Sequence, residues 1–192
     1  MLLSARVVLG WAVNHVIRSA VPPLVPFIVQ EFGFDSGEAA VLLSAFFQGY
    51  LLTQLPGGWA AQKWGAKAVA QLNLAGNTAL LLLPMLAGRG VRALSFCLCL
   101  IGLCQGPLVP SVSVLQRNWL PNGPMRAWAL TFVSMGGRLA RLVAAGTGPL
   151  LADRFGWRVI AYLYGTLAAA FAVTFTVVAS EQPALELSLA TE

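Results

Sequence analysis

Apolar residues run in long blocks along this chain, and the charged residues between them are few. Six stretches stand out, at 7–29, 39–61, 68–88, 93–116, 127–152 and 159–180, each 21–26 residues long. A helix rises about 1.5 Å per residue and the hydrocarbon core of a bilayer is about 30 Å thick, so about 20 apolar residues make one crossing. Every stretch is long enough. Barrel strands would be about 10 residues long with strict alternation, whereas 80–83 and 168–172 are unbroken apolar runs. A helix also satisfies its own backbone hydrogen bonds in lipid, with no sheet partner. The pattern therefore predicts an all-α membrane protein, a single domain over 1–192 with six transmembrane helices. The loops and tails are too short to hold a soluble domain.

The first stretch reads as a retained span. Residues 1–4 carry no Lys or Arg, and Asn14, His15 and Arg18 interrupt the apolar run, whereas a secretory signal has a basic start and a clean apolar core. No transit peptide marks an organelle. Six spans put both ends on one side of the membrane. That side holds Arg6, Lys63, Lys67, Arg117 and Arg126, against Arg89, Arg92, Arg154 and Arg158 on the other. The positive-inside rule then predicts cytoplasmic termini. Arg158, at a helix start, can snorkel to either side.

Two motifs recur in the same order in the two halves. Pro23-Leu24-Val25-Pro26 is matched by Pro107-Leu108-Val109-Pro110. Gly57, followed after five residues by Lys63-Trp64-Gly65-Ala66-Lys67, is matched by Gly148 and Arg154-Phe155-Gly156-Trp157-Arg158. Copies of three spans sit in opposite orientation, which is the 3+3 inverted repeat of many transporters, with a substrate site near the bilayer midplane.

Composition sharpens the class. The chain is 58% hydrophobic and 10% charged, against about 25% charged in soluble domains. That excludes an ordinary cytosolic enzyme and a disordered chain. The net charge of +5 is spread along the sequence rather than clustered, so no nucleic-acid partner is expected. Cys97, Cys99 and Cys104 all fall in the fourth span without metal-ligand spacing and read as small packing residues. No metal, cofactor or catalytic set is expected. All seven acids lie in loops or tails, which removes paired intramembrane carboxylates, and neither a Gly-x-Ser-x-Gly elbow nor a phosphate-binding Gly-Lys-Ser/Thr loop occurs.

The chemistry sits in the polar residues inside the spans. An arginine at mid-span costs on the order of 2.5–3.5 kcal/mol on insertion scales. Arg18, Arg138 and Arg141 bear that cost with no acid in any span. Asn14, His15 and Arg18 share one helix face, and Thr131, Ser134, Arg138 and Arg141 form a stripe at steps of 3, 4 and 3. Such a stripe lines a water-filled path or a helix–helix contact. His15 is the sole histidine and a candidate proton relay. Gln48 and Gln105 add uncharged donors and acceptors. Asn14, His15, Arg18, Gln48, Gln105, Arg138 and Arg141 are the candidate substrate-binding residues. Prolines 22, 23, 26, 107 and 110 mark where the first and fourth helices break or bend.

Gly49-Tyr50-Leu51-Leu52-Thr53-Gln54-Leu55-Pro56-Gly57-Gly58, followed by Lys63, Gly65 and Lys67, resembles the second span and following loop of the major facilitator superfamily. More narrowly, it resembles the anion:cation symporter branch. Gly102-Leu103-Cys104-Gln105-Gly106, Pro110, Trp119 and Pro121 resemble that branch's fourth span and cytoplasmic loop, and Gly156-Trp157 and Gly165 its sixth-span entry. The resemblance covers half of such a protein, which has twelve spans in two six-span halves.

It implies alternating access and transport of a phosphate or carboxylate anion with a coupling proton or sodium ion, or driven by membrane potential. It also implies a partner, either a second six-helix half or a second copy of this chain. Arg18 matches the branch's first-span arginine, thought to meet the substrate. Gly58, Lys63, Gly65 and Lys67 match its gating loop, with Asp153 and Arg154 at the repeat-related position. Gln105 stands where many relatives carry Glu, and Arg138 and Arg141 are not expected from the branch. The rival reading is a non-transporting membrane protein, or a truncated fragment, that pairs with another six-helix unit.

Overall fold

The computed structural model of the protein describes residues 19, 22–119 and 124–178, and among them every regular element is helical. In chain order these are α1 (22–32), α2 (Ser36–Lys63), α3 (Ala66–Asn77), a short 3₁₀ turn (Thr78–Leu81), α4 (Leu82–Leu86), a second 3₁₀ turn (Ala87–Arg89), α5 (Val91–Gln105), α6 (Leu108–Trp119), α7 (Pro124–Phe155) and α8 (Trp157–Val178). Among the described residues, four stretches are long and apolar enough to cross a membrane: Ser36–Lys63, Ala66–Arg89, Val91–Ser111 and Trp157–Val177. The chain is a membrane protein.

Local chemistry sets the helix ends. Asp35 caps α2 through a reciprocal box: Glu38 N donates to Asp35 Oδ1 at 2.8 Å, and Asp35 N donates to Glu38 Oε2 at 3.1 Å, satisfying two amides at the helix start. Gly65 and Gly156 take φ of +93° and +82°, a region that L side chains avoid. Gly65, with Trp64, joins α2 to α3, and Gly156 alone joins α7 to α8. These are the two glycines that the repeated basic–aromatic–Gly motif aligns.

Apolar side chains gain nothing by leaving lipid for protein, so helices in a bilayer associate through close packing and interhelical hydrogen bonds. The contact between α2 and α5 shows both. A Cβ on Gly49 would overlap the Cys99 carbonyl oxygen, and one on Gly102 would overlap the Phe46 carbonyl oxygen, so the two backbones touch at a reciprocal pair of glycines. Leu42 and Phe46 of α2 join Leu94, Leu98 and Ile101 of α5 in the main core, with Leu24 and Ile28 of α1 and Ile160 of α8.

The fourth apolar stretch is not one continuous helix. It breaks at Gly106–Pro107. Pro107 has no N–H to return to the Leu103 carbonyl. Thr53 Oγ1 donates to that carbonyl from α2 at 2.8 Å, and Asn73 Nδ2 of α3 donates to the Cys104 carbonyl at 2.9 Å. The break is therefore closed by side chains from two neighbouring helices.

The repeat-related residues meet crosswise. A Cβ on Gly57 of α2 would come within 2.5 Å of Pro107 Cβ, and one on Gly148 of α7 would lie 3.9 Å from Pro23 Cβ of α1. Gly57 and Gly148 are one aligned pair of the repeat, and Pro107 and Pro23 are the other. The first contact is closed and the second is looser.

Candidate functional site

The polar stripe expected in the fifth apolar stretch lies on α7. Gly137, Ala144, Gly148 and Ala152 are buried, while Thr131, Ser134, Arg138 and Arg141 are exposed beside that seam of small residues. Thr131, Ser134, Met135 and Arg138 line an open groove of about 300 Å³. Thr131 Oγ1 donates its proton to the Ala127 carbonyl at 2.9 Å, so toward the groove it presents an acceptor. No carboxylate among the described residues lies within ion-pair reach of Arg138 or Arg141. The groove is thus cationic, with no counter-charge among the described residues.

The other candidate residues do not all converge there. Asn14, His15 and Arg18 lie outside the described residues. Gln48 is exposed on α2. Gln105 is fully buried, and its Nε2 donates to Asn77 Oδ1 of α3 at 2.7 Å. Its Oε1 has no partner among the described groups. Of the residues expected in the gating loop, only Gly65 lies between helices; Gly58 and Lys63 belong to α2, Lys67 to α3, and Asp153 and Arg154 to α7. Gly58 is half-buried, a Cβ there lying 3.3 Å from Pro110. Lys63 is exposed with Nζ 4.7 Å from the Trp59 ring, which in turn meets Trp64 edge-on at 5.6 Å. Lys67 is half-buried, and Asp153 and Arg154 are exposed.

Three polar clusters escape the sequence reading. Asn73 and Asn77, both fully buried, bind the end of α5 to α3. Gln71 Nε2 donates to the Ala172 carbonyl at 3.0 Å and to Thr176 Oγ1 at 2.7 Å, joining α3 to α8. A signal for both is present in the sequence: 71, 73 and 77 are amides inside an apolar span, and 73 and 77 share a helix face.

The third cluster ties α1 to α8. Glu31 Oε2 accepts from Trp157 Nε1 at 2.6 Å, and Glu31 Oε1 pairs with Arg158 Nη1 at 2.6 Å. Arg158 also stacks near Phe32 and Trp157, its Cζ 5.8 and 5.0 Å from their rings. Rather than snorkelling freely, Arg158 is held by an acid. The Trp157 indole and then the Arg158 guanidinium hold the Glu31 carboxyl below its ordinary range, against partial burial, which pushes it up.

The family model described as Major Facilitator Superfamily matches residues 7–191. Among curated proteins, the chain is 32% identical over 163 residues to the voltage-gated purine nucleotide uniporter SLC17A9 of Mus musculus, covering 83% of this chain and 36% of that protein. It is 30% identical over 139 residues to the chloroplastic ascorbate transporter of Arabidopsis thaliana, covering 72% of this chain and 26% of that protein. It is 28% identical over 140 residues to sialin of Homo sapiens, covering 72% and 28%. The chain spans less than two fifths of the length of the curated relatives it matches.

Proposed function

The chain belongs to the Major Facilitator Superfamily, and from that premise we propose that it forms the amino-terminal half of a secondary transporter for a small inorganic or organic anion. The observation that carries this reading is the α7 groove, a cationic surface in the middle of a helix with no acid among the described residues to neutralise it. An anion entering a water-filled cavity supplies the missing charge. The activities named for two of the relatives, purine nucleotide uniport and ascorbate transport, fit that class.

Transport proceeds by alternating access between this domain and a second six-helix unit, either a further half or a second copy. The crosswise Gly57–Pro107 and Gly148–Pro23 contacts support a 3+3 inverted repeat, and the unequal tightness of the two crossings fits a domain held in one of two related arrangements. Arg18, five residues before Pro23 in sequence, joins Arg138 and Arg141 as a substrate residue. His15, Asn14 and Gln48 line the path, and Gln105 holds the fourth span in place beside it. The loops at Gly65 and Gly156, with Gly58, Lys63, Lys67, Asp153 and Arg154, are the points where the helices pivot. Both termini face the cytoplasm, and a proton, a sodium ion or the membrane potential drives the anion.

The test is uptake into sealed proteoliposomes carrying the protein purified at its native length from its own membrane. Radiolabelled phosphate, ascorbate and a nucleotide are offered under an imposed potential, with sodium and proton gradients varied separately. Potential- or gradient-dependent uptake of at least one anion, reduced tenfold or more by Arg18→Gln, is the expected result. No uptake of any anion above protein-free vesicles would overturn the reading in favour of a non-transporting partner protein.

A further inference from the structure

We propose that the turn between α2 and α3 holds the headgroup of an anionic phospholipid through Lys63 and Lys67, beside Trp59 and Trp64, and that the lipid's acyl chains lie along α2.

The length of α2 sets the depth. Its 28 residues, Ser36–Lys63, extend about 42 Å at about 1.5 Å per residue, which matches the thickness of about 40–45 Å of a bilayer with its headgroup layers. Lys63, the last residue, therefore stands at headgroup level, with Trp59 about 6 Å deeper. One exposed stripe runs toward that end. Leu52, Leu55, Trp59 and Lys63 are all exposed, follow steps of 3, 4 and 4, and fall within an arc of roughly 80° at about 100° per residue. The stripe passes from aliphatic to aromatic to cationic. A phospholipid presents the matching order, from acyl chain through the interface, where tryptophans concentrate, to the charged headgroup. Lys63 Nζ lies 4.7 Å from the Trp59 ring, and Trp64, also exposed, meets that ring edge-on, so ammonium and rings form one continuous surface.

What this turn lacks is an acid. The chain contains none between Glu38 and Asp153. Glu38 belongs to the opposite end of α2, about 37 Å away along the helix. Among the described residues, no carboxylate lies within ion-pair reach of Lys63 or Lys67. The repeat-related turn at Gly156 differs. There Glu31 takes Arg158 at 2.6 Å, and Asp153 stands next to Arg154, so two acids accompany two basic residues. The same motif is balanced at one turn and carries two uncompensated positive charges, among the described residues, at the other.

Donor chemistry and depth together select the ligand. Lys63 and Lys67 are four residues apart, so their Cα atoms are at most about 14 Å apart. Two flexible four-carbon stems bridge that span to one phosphate, and each ammonium makes a charge-assisted bond to its oxygens. A zwitterionic headgroup brings its own cation and leaves the pair of lysines unneutralised. A headgroup with net negative charge neutralises it. A free anion in water would leave Leu52 and Leu55 bare, whereas a lipid covers them with its chains.

The experiment is native mass spectrometry of the protein at native length, released from detergent micelles holding equal amounts of phosphatidylglycerol and phosphatidylcholine with the same acyl chains. A lysine near an anionic lipid surface strengthens binding about fivefold, so the two together are expected to favour phosphatidylglycerol tenfold or more. The double variant Lys63→Gln, Lys67→Gln should bring the ratio of bound lipids near one, and Lys63→Arg with Lys67→Arg should preserve it. Arg154→Gln removes one charge at the repeat-related turn and should leave the ratio as it is. Each variant is first matched to the parent in elution volume and melting temperature. If the double glutamine variant fails to match, the two single variants take its place, each expected to lower the preference about fivefold.

A ratio near one in the parent overturns the proposal. So does a ratio that the glutamine variants leave unchanged, or one that Arg154→Gln lowers as far as they do. Loss of a second subunit from the double variant, with the ratio preserved, also overturns it and gives the lysines to a partner's acids. Lipid retention is read without uptake, so its failure leaves the transport reading standing, and failure of uptake leaves the lipid site standing.

Discussion

Replacing Glu31 by Gln tests whether the contact between α1 and α8 is electrostatic. The carboxylate holds two partners, the indole N–H of the buried Trp157 and the guanidinium of Arg158, each at 2.6 Å. The Arg158 and Glu31 side chains are 45% and 38% exposed, so solvent screens the ion pair to about 0.2–1 kcal/mol. Glutamine keeps a carbonyl oxygen for Trp157 but not the charge. A hydrogen bond to a charged group is stronger than a neutral one by about 1 kcal/mol. The loss at neutral pH is then roughly 1–2 kcal/mol, which for a chain of this size lowers the melting temperature by roughly 2–8 °C.

The pH dependence follows from the depressed carboxyl pKa. A group whose pKa is lower in the folded state contributes stability that is present above its unfolded pKa, about 4.3, and lost as pH falls through the folded value. Melting of parent and Glu31→Gln protein, followed in detergent from pH 3 to 8, should show a constant gap above about pH 5. The gap should close as the pH falls through the folded value. A gap of equal size at every pH would mean that glutamine disturbs packing and that the charge contributes nothing, refuting the reasoning.

Three further outcomes are expected. Thr53→Val leaves the Leu103 carbonyl without its donor and should cost about 1–3 kcal/mol; adding Pro107→Ala restores a backbone N–H at that position and should recover part of the loss, and two simply additive effects in denaturant melts would argue against the donor role. Gly102→Leu drives a side chain into the α2 backbone at Phe46 and should abolish the monodisperse folded peak in size-exclusion chromatography, whereas a normal profile would show that the two helices do not touch. A double-mutant cycle of Asn77→Ala and Gln105→Ala should give a coupling of about 0.6 kcal/mol, up to about 1.7, as for hydrogen bonds between membrane helices; zero coupling would mean that the 2.7 Å contact adds no stability.

Some of this protein was legible in the sequence because a bilayer makes each helix nearly autonomous. Length and apolarity suffice to mark a crossing, since the backbone hydrogen bonds close within the segment. The helical class, the membrane setting, the family resemblance and the stripe of Thr131, Ser134, Arg138 and Arg141 all follow from local spacing. So do the turns at Gly65 and Gly156, where one motif recurs and the backbone adopts the same left-handed step.

Only the tertiary structure decided which polar group meets which. Gln105 and Gln48 are both amides in apolar spans, yet one is fully buried against Asn77 and the other is exposed. The fourth span breaks at Pro107, and the groups that close the break come from Thr53, about fifty residues earlier, and from Asn73. Arg158, free to turn either way by its position, is fixed by Glu31. These pairings depend on how closely and at what angle the helices cross. The crossing is set by small residues on two distant segments at once, as with Gly49 against Cys99 and Gly102 against Phe46. Helical periodicity tells which residues share a face, but the register between two faces is a property of the pair, and no single stretch of sequence contains it.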